Sequence, residues 1–191
     1  MKRKEEIEKL LVVVDMVNGF IKEGSMSDKD IARIIPRIDA LVQKFISEEE
    51  GIAFIKDTHF EDSTEFKKFP PHCIKGTSES EVVDELKSYE EQSLSYEKNS
   101  TSTMYAPGFM NDIDSMKKLR EVIITGCCTD ICVLNLAIPL VNYFDQNNRD
   151  VNVCVVKNAV ETYNAPYHNR EEYNEMALKL MKQAGVNIRE E

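Results

Sequence analysis

The chain has 191 residues, of which 42% are hydrophobic and 30% are charged, a composition typical of a globular protein. This length suits one domain with a sizeable core, and we expect that domain to span residues 1–191. The net charge of −10 argues against nucleic acid as a main partner, because binding to phosphates needs a basic surface. We also expect no membrane contact, since no apolar stretch is long enough to span a bilayer.

The amino terminus and the cysteines indicate where the protein resides. The first residues turn acidic before a short apolar run, and that run contains Asp15 and lacks a small-residue cleavage site. We therefore predict no signal peptide. Five cysteines is an odd number, and free thiols in a reducing cytosol are expected rather than a disulfide framework.

Short runs typical of β-strands alternate with longer helical patterns along the chain. The predicted strands are residues 10–15, 51–59, 93–97, 121–126, 151–156 and 186–188. A helix with an apolar face over 31–45 is predicted to be capped by Ser27, and Pro36 predicts a kink or a later start. Further helices are predicted over 79–87, 130–144 and 169–184.

This alternation predicts an α/β fold, with a parallel sheet covered by helices on both faces. In such a sheet, ligands bind beyond the carboxyl ends of the strands. The residues that directly follow each strand are therefore the candidates for function.

Three reactive side chains follow three of the predicted strands. Asp15 ends the first strand, Lys98 follows the third, and Cys132 lies in the first turn of the helix after the fourth. Free N–H groups at a helix start favour an anion, so a thiolate at Cys132 should be stabilised and its pKa lowered. Each residue alone also fits an ordinary role, but together at one sheet edge they predict an active site.

Cys132 belongs to the stretch GCCTDIC, which holds three of the five cysteines. Its spacing matches neither a zinc knuckle nor a thioredoxin motif, which argues against a site built from thiols alone. Because Cys127 and Cys128 are neighbours, at most one of them can join Cys132 in a site.

A second candidate site surrounds the end of the second strand. Asp57 and His59 lie two residues apart, so on an extended strand they face the same side. Glu65 and His72 follow, and two imidazoles with two carboxylates suit zinc, iron or manganese. A hydrogen-bonded histidine pair is the alternative. The third histidine, His168, is expected on the surface near a helix start.

Four motifs, VVVDMVNGF, FPPHC, EKNSTSTMY and ITGCCTDICV, together resemble the cysteine hydrolases of the isochorismatase-like superfamily. Within it, the chain is most similar to the nicotinamidase/pyrazinamidase family. The resemblance implies a three-layer α/β/α sandwich around a six-stranded parallel sheet. It also implies hydrolysis of nicotinamide to nicotinate and ammonia through a thioester, as in NAD salvage, with pyrazinamide as a second substrate.

The resemblance assigns roles to individual residues. It implies that Asp15, Lys98 and Cys132 form a catalytic triad with Cys132 as the nucleophile. It implies a cis peptide bond between Cys127 and Cys128, and an oxyanion hole made by the backbone N–H groups of Cys128 and Cys132.

The resemblance also implies a cofactor and a substrate pocket. The cofactor is one divalent metal ion, Zn²⁺ in the first instance with Fe²⁺ or Mn²⁺ as alternatives, on Asp57, His59, Glu65 and His72. The pocket for a small pyridine carboxamide has as its walls Phe20, Phe69 and Tyr105. Relatives of this kind often self-associate, so a homo-oligomer is compatible with the family.

Three other functions compete with this one. An amidohydrolase of the same superfamily that acts on carbamoyl or ureido substrates would keep the triad and need no metal. Vinyl-ether hydrolysis of the isochorismatase type would not require Cys132. A binding domain without activity is disfavoured by the intact Asp–Lys–Cys set.

Overall fold

The computed structural model describes residues 2–190, and within them the strands form one six-stranded sheet. The strands are β1 Lys9–Val14, β2 Gly51–Asp57, β3 Leu94–Lys98, β4 Glu121–Cys127, β5 Asn152–Glu161 and β6 Asn187–Arg189. Their order is β3-β2-β1-β4-β5-β6, and every pairing is parallel. The predicted six-stranded parallel α/β sheet is therefore confirmed. The direction of winding reverses between β1 and β4, which is where such sheets bind ligands.

Helices cover both faces of the sheet. They are α1 Asn18–Ile21, α2 Ile35–Ser47, α3 Asp84–Glu90, α4 Phe109–Ser115, α5 Leu134–Gln146 and α6 Arg170–Gln183. Alternate side chains of β1 enter two separate core layers, because successive residues of a strand point to opposite faces. One layer packs under α2 and α3, and the other packs under α4, α5 and α6. Among residues 2–190, no helix combines the length and the apolar character needed to cross a membrane.

Several helix boundaries differ from the predictions. The cap before α2 is Asp28 rather than Ser27: the Asp28 side chain accepts a hydrogen bond from the Asp30 N–H and begins a 3₁₀ helix over Lys29–Ile34. Pro36 lies in the first turn of α2, where its missing N–H costs no hydrogen bond, so it marks a later start and no kink. The chain over 81–83 is extended, and α3 starts at Asp84 instead of residue 79. The short helices α1 and α4 were not predicted.

The carboxyl end of β4 approaches β1 very closely. Gly126 has φ +107°, and a Cβ atom there would lie 2.0 Å from the Val14 carbonyl oxygen. Only glycine fits this position, because it has no Cβ and tolerates a positive φ. The Cys127 thiol in turn donates to the carbonyl oxygen of Asp15 at 3.2 Å. These contacts bring the turn after β4 beside the end of β1.

Candidate active site

The structure brings Asp15, Lys98 and Cys132 together at the carboxyl edge of the sheet. Asp15 follows β1 with φ +52° and is fully buried, and Lys98 is the last residue of β3. The Lys98 Nζ atom lies 2.9 Å from Asp15 Oδ2 and 3.6 Å from Cys132 Sγ. A carboxylate, an ammonium and a thiol thus share one buried point although they come from three separate parts of the chain.

Asp57 connects this group to the two histidines. It ends β2, between the strands that carry Asp15 and Lys98. One carboxylate oxygen, Oδ1, lies 2.6 Å from Lys98 Nζ. The other, Oδ2, lies 2.9 Å from His59 Nε2 and 3.0 Å from His72 Nε2. The two candidate sites predicted from the sequence are therefore parts of one cluster.

Burial and charge set the protonation states in this cluster. Burial opposes the charge on Lys98, but Asp15 and Asp57 together hold its pKa well above the usual value. Burial also works against an ionised Asp57, yet the charge of the Lys98 ammonium lowers its pKa. For Asp15 burial prevails over Lys98 and raises the pKa to about 6. Asp15 is therefore the carboxyl group that can take up and release a proton near neutral pH.

Cys132 lies in a wide, π-helical turn over Thr129–Val133, which precedes α5. The Val133 N–H donates to the Cys128 carbonyl oxygen at 3.1 Å across this turn. Burial raises the pKa of the Cys132 thiol well above its usual value, although Lys98 opposes the rise. The prediction of a lowered pKa is wrong, because desolvation outweighs the favourable field of a helix start. The sulfur is a neutral thiol at rest and needs a base.

The histidines offer electron pairs to a shared point. His59 Nδ1 lies 2.8 Å from Asn99 Oδ1, and His72 Nδ1 lies 2.7 Å from the Pro70 carbonyl oxygen. Both of these oxygens accept, so each Nδ1 carries the hydrogen and each Nε2 of a neutral ring is left as an acceptor. Both Nε2 atoms then face the carboxylate of Asp57, within a group whose ligand atoms lie within 4.8 Å of one another. Three converging acceptors fit a divalent cation.

Glu65 lies at the margin of this group. It belongs to a 3₁₀ turn over Thr64–Lys67, and one of its carboxylate oxygens is 3.9 Å from His59 Nε2. It also lines the cavity beside Asp57 and His72. Its carboxylate is therefore close enough to reach an ion held by the histidines or a ligand in the cavity.

A narrow cavity opens next to the cluster. Its lining residues are Phe20, Met26, Asp57, Glu65, Phe69, His72, Thr101, Cys128, Ile131, Cys132 and Tyr163. The rings of Phe20 and Phe69 lie 5.6 Å and 6.3 Å from the His72 ring. The cavity therefore combines the thiol, the histidine group and aromatic walls.

The structure does not bring Tyr105 into this cavity. Its side chain is 82% exposed and is absent from the lining. Four lining residues were not among the predicted site residues: Met26, Thr101, Ile131 and Tyr163. Thr101 and Ile131 lie inside the motifs that carry the family resemblance, so their place in the cavity could have been predicted from those motifs. Met26 and Tyr163 lie outside the motifs, and nothing in the sequence marks them as lining residues.

Two further residues near the nucleophile have unusual surroundings. The peptide bond between Cys127 and Cys128 is cis, and Cys128 lines the cavity.

The expected surface position of His168 is wrong: its side chain is buried, with Nε2 only 2.8 Å from Asp130 Oδ2. All three histidines are therefore buried near this edge of the sheet.

Known proteins share this architecture. The sequence matches the isochorismatase domain family over residues 9–190. It is 31% identical to Nicotinamidase 1 of Arabidopsis thaliana over 139 residues, which are 65% of this chain and only 57% of that relative. It superposes on nicotinamidase PncA from Bacillus subtilis with a TM-score of 0.80 and 27% identity, over 96% of this chain and 100% of that one. The pyrazinamidase of Pyrococcus horikoshii, solved in complex with zinc, gives a TM-score of 0.77 and 25% identity over 96% and 99% of the two chains.

Proposed function

Because the chain belongs to the isochorismatase domain family, we propose that it is a nicotinamidase, which converts nicotinamide and water to nicotinate and ammonia. The observation that carries the proposal is the Asp57 carboxylate, which contacts Lys98 on one side and both histidines on the other. A thiol and its base thus stand beside a group suited to a metal. The names of the relatives from Arabidopsis and Bacillus support the same substrate.

The first half of the reaction forms a thioester. Asp15 takes the proton of the Cys132 thiol as the sulfur attacks the amide carbon, and the carbonyl π electrons move onto the oxygen. The backbone N–H groups of Cys128 and Cys132 stabilise the resulting oxyanion. When the tetrahedral intermediate collapses, the C–N bond breaks and Asp15 returns the proton to the leaving ammonia.

The second half releases the acid. Asp15 takes a proton from water, which attacks the thioester carbon, and the C–S bond breaks to give nicotinate and the Cys132 thiol. Lys98 keeps its charge throughout, so the buried site never holds two uncompensated carboxylates. Asp15 therefore serves as the base in both halves, which suits its pKa of about 6.

Asp57, His59 and His72 would hold the metal ion, with Glu65 facing it from the loop, and Zn²⁺ is the first choice for this donor set. When bound, such an ion supplies a Lewis-acid centre that takes the pyridine nitrogen of the substrate. Phe20 and Phe69 flank the ring and orient its carboxamide toward Cys132.

The same chemistry suggests a wider role. Pyrazinamide keeps both the ring nitrogen and the carboxamide, so we expect it to be a second substrate. The product, nicotinate, is a precursor for NAD salvage. None of the five cysteines, all of which lie within the described residues, forms a disulfide, which supports a reducing, cytoplasmic setting for a thiol enzyme.

The competing function is an amidohydrolase that acts on carbamoyl or ureido substrates. It would use the same triad, and it would leave the histidine group without a purpose. The deciding experiment measures ammonia release from nicotinamide and from a carbamoyl amino acid, with the protein loaded with zinc and after its removal by chelation. We expect release from nicotinamide alone, and only with metal present.

Cys132→Ala is the matched control for this experiment. We expect it to lower nicotinamide turnover by at least about 10⁴-fold while bound zinc stays unchanged, because it removes only the nucleophile. Hydrolysis of the carbamoyl amino acid without metal would contradict the proposal. So would full nicotinamide turnover by the metal-free protein.

A further inference from the structure

His168 lies outside the cavity, in the turn between β5 and α6, yet it is almost fully buried. Its ring is stacked between two tyrosines, with centroid distances of 3.9 Å to Tyr163 and 3.7 Å to Tyr173. Backbone hydrogen bonds of 2.9 Å and 3.0 Å between His168 and Ala165 close the turn. A buried polar ring fixed by this many contacts close to the proposed active site is expected to have a specific role there.

Both ring nitrogens of His168 face oxygen acceptors. Nε2 lies 2.8 Å from Asp130 Oδ2, and Nδ1 lies 3.0 Å from the backbone carbonyl oxygen of Tyr163. A backbone carbonyl can only accept, and so can an ionised carboxylate, so the ring makes both bonds when both nitrogens carry hydrogen. The imidazole therefore links two parts of the chain that are 33 residues apart in sequence.

One end of this link leads to the nucleophile. Asp130 lies in the π-helical turn over Thr129–Val133, two residues before Cys132. Its other oxygen, Oδ1, accepts a hydrogen bond of 2.5 Å from the Thr162 hydroxyl. Asp130 is thus the point at which the turn that carries Cys132 is attached to the loop after β5.

The other end of the link leads to the cavity wall. Tyr163 lines the cavity, and its ring stacks on that of His168. The bond from His168 to the Tyr163 carbonyl fixes the backbone from which this ring extends. Nothing in the triad or the metal group contacts Tyr163 in this way.

We propose that His168 is a positioning residue with two separable effects: its bond to Asp130 orients Cys132, and its bond to Tyr163 sets the wall of the substrate cavity. This deepens the proposed amidase function and depends on it only for the kinetic readouts. The effect on Cys132 can be measured without any substrate, as the rate at which iodoacetamide alkylates that thiol, followed by peptide mapping.

Two substitutions separate the effects. In His168→Gln the amide nitrogen occupies the place of Nε2, so the bond to Asp130 is kept and the bond to Tyr163 is lost. In His168→Asn the amide nitrogen occupies the place of Nδ1, so the opposite bond is kept. Both variants lose the stacking equally, so the difference between them reports on the hydrogen bonds alone.

We expect His168→Asn to slow alkylation of Cys132 and to lower kcat for nicotinamide, each by about tenfold to a hundredfold, with KM nearly unchanged. We expect His168→Gln to keep both rates within about threefold and to raise KM by about tenfold. Tyr173→Leu, which removes the stacking on the far face only, should leave kcat, KM and alkylation unchanged.

Equal effects of His168→Asn and His168→Gln, or effects that follow the melting temperature, would show that His168 only stabilises the fold and would overturn the proposal. If neither variant can be purified, Asp130→Leu is the second test, because it nearly keeps the size of the side chain and removes the oxygen that His168 Nε2 faces. Slower alkylation in Asp130→Leu than in Thr162→Val, which removes only the hydroxyl bond to Asp130, supports the proposal, and equal rates overturn it. If wild-type protein releases no ammonia from nicotinamide, the proposed function fails, while the alkylation rates still decide the role of His168.

Discussion

The two halves of the cavity are built from different kinds of secondary structure. The strand half consists of Asp15, Asp57 and Lys98, which stand at or just beyond the carboxyl ends of three neighbouring strands. The loop half consists of Glu65, Phe69 and His72, which lie in the irregular segment between β2 and α3. One half therefore inherits its geometry from the sheet, and the other depends on local contacts.

The contacts show how different the two halves are. In the strand half, Lys98 pairs in register with Asp57, and its ammonium is enclosed by two carboxylates with almost no exposure. The loop half is held by a few main-chain bonds, such as Phe69 N–H to the Glu65 carbonyl oxygen at 3.1 Å. The hydrogen-bonded sheet can hold buried charges in an unfavourable arrangement. The side chains of the loop can be substituted with a smaller loss of stability. Changes in the strand half should therefore affect catalysis and stability, and changes in the loop half should affect binding.

Lys98→Met should produce the largest effect, because it removes the cation on which the strand half depends. Two buried carboxylates then face each other without compensation, and we expect a loss of about 3–5 kcal/mol in the free energy of unfolding. Turnover should fall by about 10³-fold, since Cys132 loses the neighbouring positive charge. Urea unfolding and ammonia release measure the two effects.

The sign of the pH dependence sharpens this test. Without the ammonium, the pKa of Asp15 rises further above its unfolded value, so stability is lost as the pH rises and regained as it falls. The variant should therefore be more destabilised at pH 8 than at pH 5. Lys157→Met is the matched control, because that lysine pairs with Glu190 on the surface, and it should leave the unfolding midpoint unchanged. Equal behaviour of the two variants would show that Lys98 does not compensate the buried carboxylates of the strand half.

The difference between the halves also decides what could be predicted from sequence. Asp15 follows an apolar run, and Lys98 follows a run in which Leu94 and Tyr96 alternate with polar residues. Both patterns predict strands, and parallel strands align their ends, so the convergence of the two side chains could be expected from sequence. The raised pKa of Cys132 could not be predicted, because the sequence shows where a helix starts but does not show how deeply the thiol is buried. His168 was misplaced for the same reason: its neighbours are polar, and its burial comes from packing against Tyr163 and Tyr173.

The loop half was accessible mainly through the family resemblance. From their spacing alone, the histidines fitted either a metal site or a hydrogen-bonded pair. Only the structure shows that Asp57 connects them to the triad. The resemblance placed Tyr105 at the cavity, yet its side chain faces solvent. Tyr163 lines the cavity although it lies outside every motif, because the path of a loop after a strand depends on tertiary contacts.

The pH profile of the wild-type enzyme gives the second largest effect and tests the strand half without mutation. Asp15 must be ionised to accept the proton of Cys132, and burial raises its pKa to about 6. Below that pH the carboxyl is protonated, so kcat/KM should fall about tenfold for each further pH unit. Ammonia release by the zinc-loaded enzyme measures the profile, with circular dichroism at each pH as the control for folding. A profile that stays flat well below this value would contradict Asp15 as the base.

The smallest effect is expected in the loop half, which Phe69 tests, with Tyr105 in the segment after β3 as the matched control. Phe69 lines the cavity, so Phe69→Leu should raise KM for nicotinamide about fivefold with kcat nearly unchanged, because an aromatic contact to the substrate ring is lost. Tyr105→Leu should leave both constants within about twofold, since 82% of that side chain is exposed to solvent. Steady-state kinetics of the two variants measure this difference. If Tyr105→Leu raises KM as much as Phe69→Leu does, Tyr105 contacts the bound substrate, and the segment after β3 closes on the ligand while the strand half stays fixed.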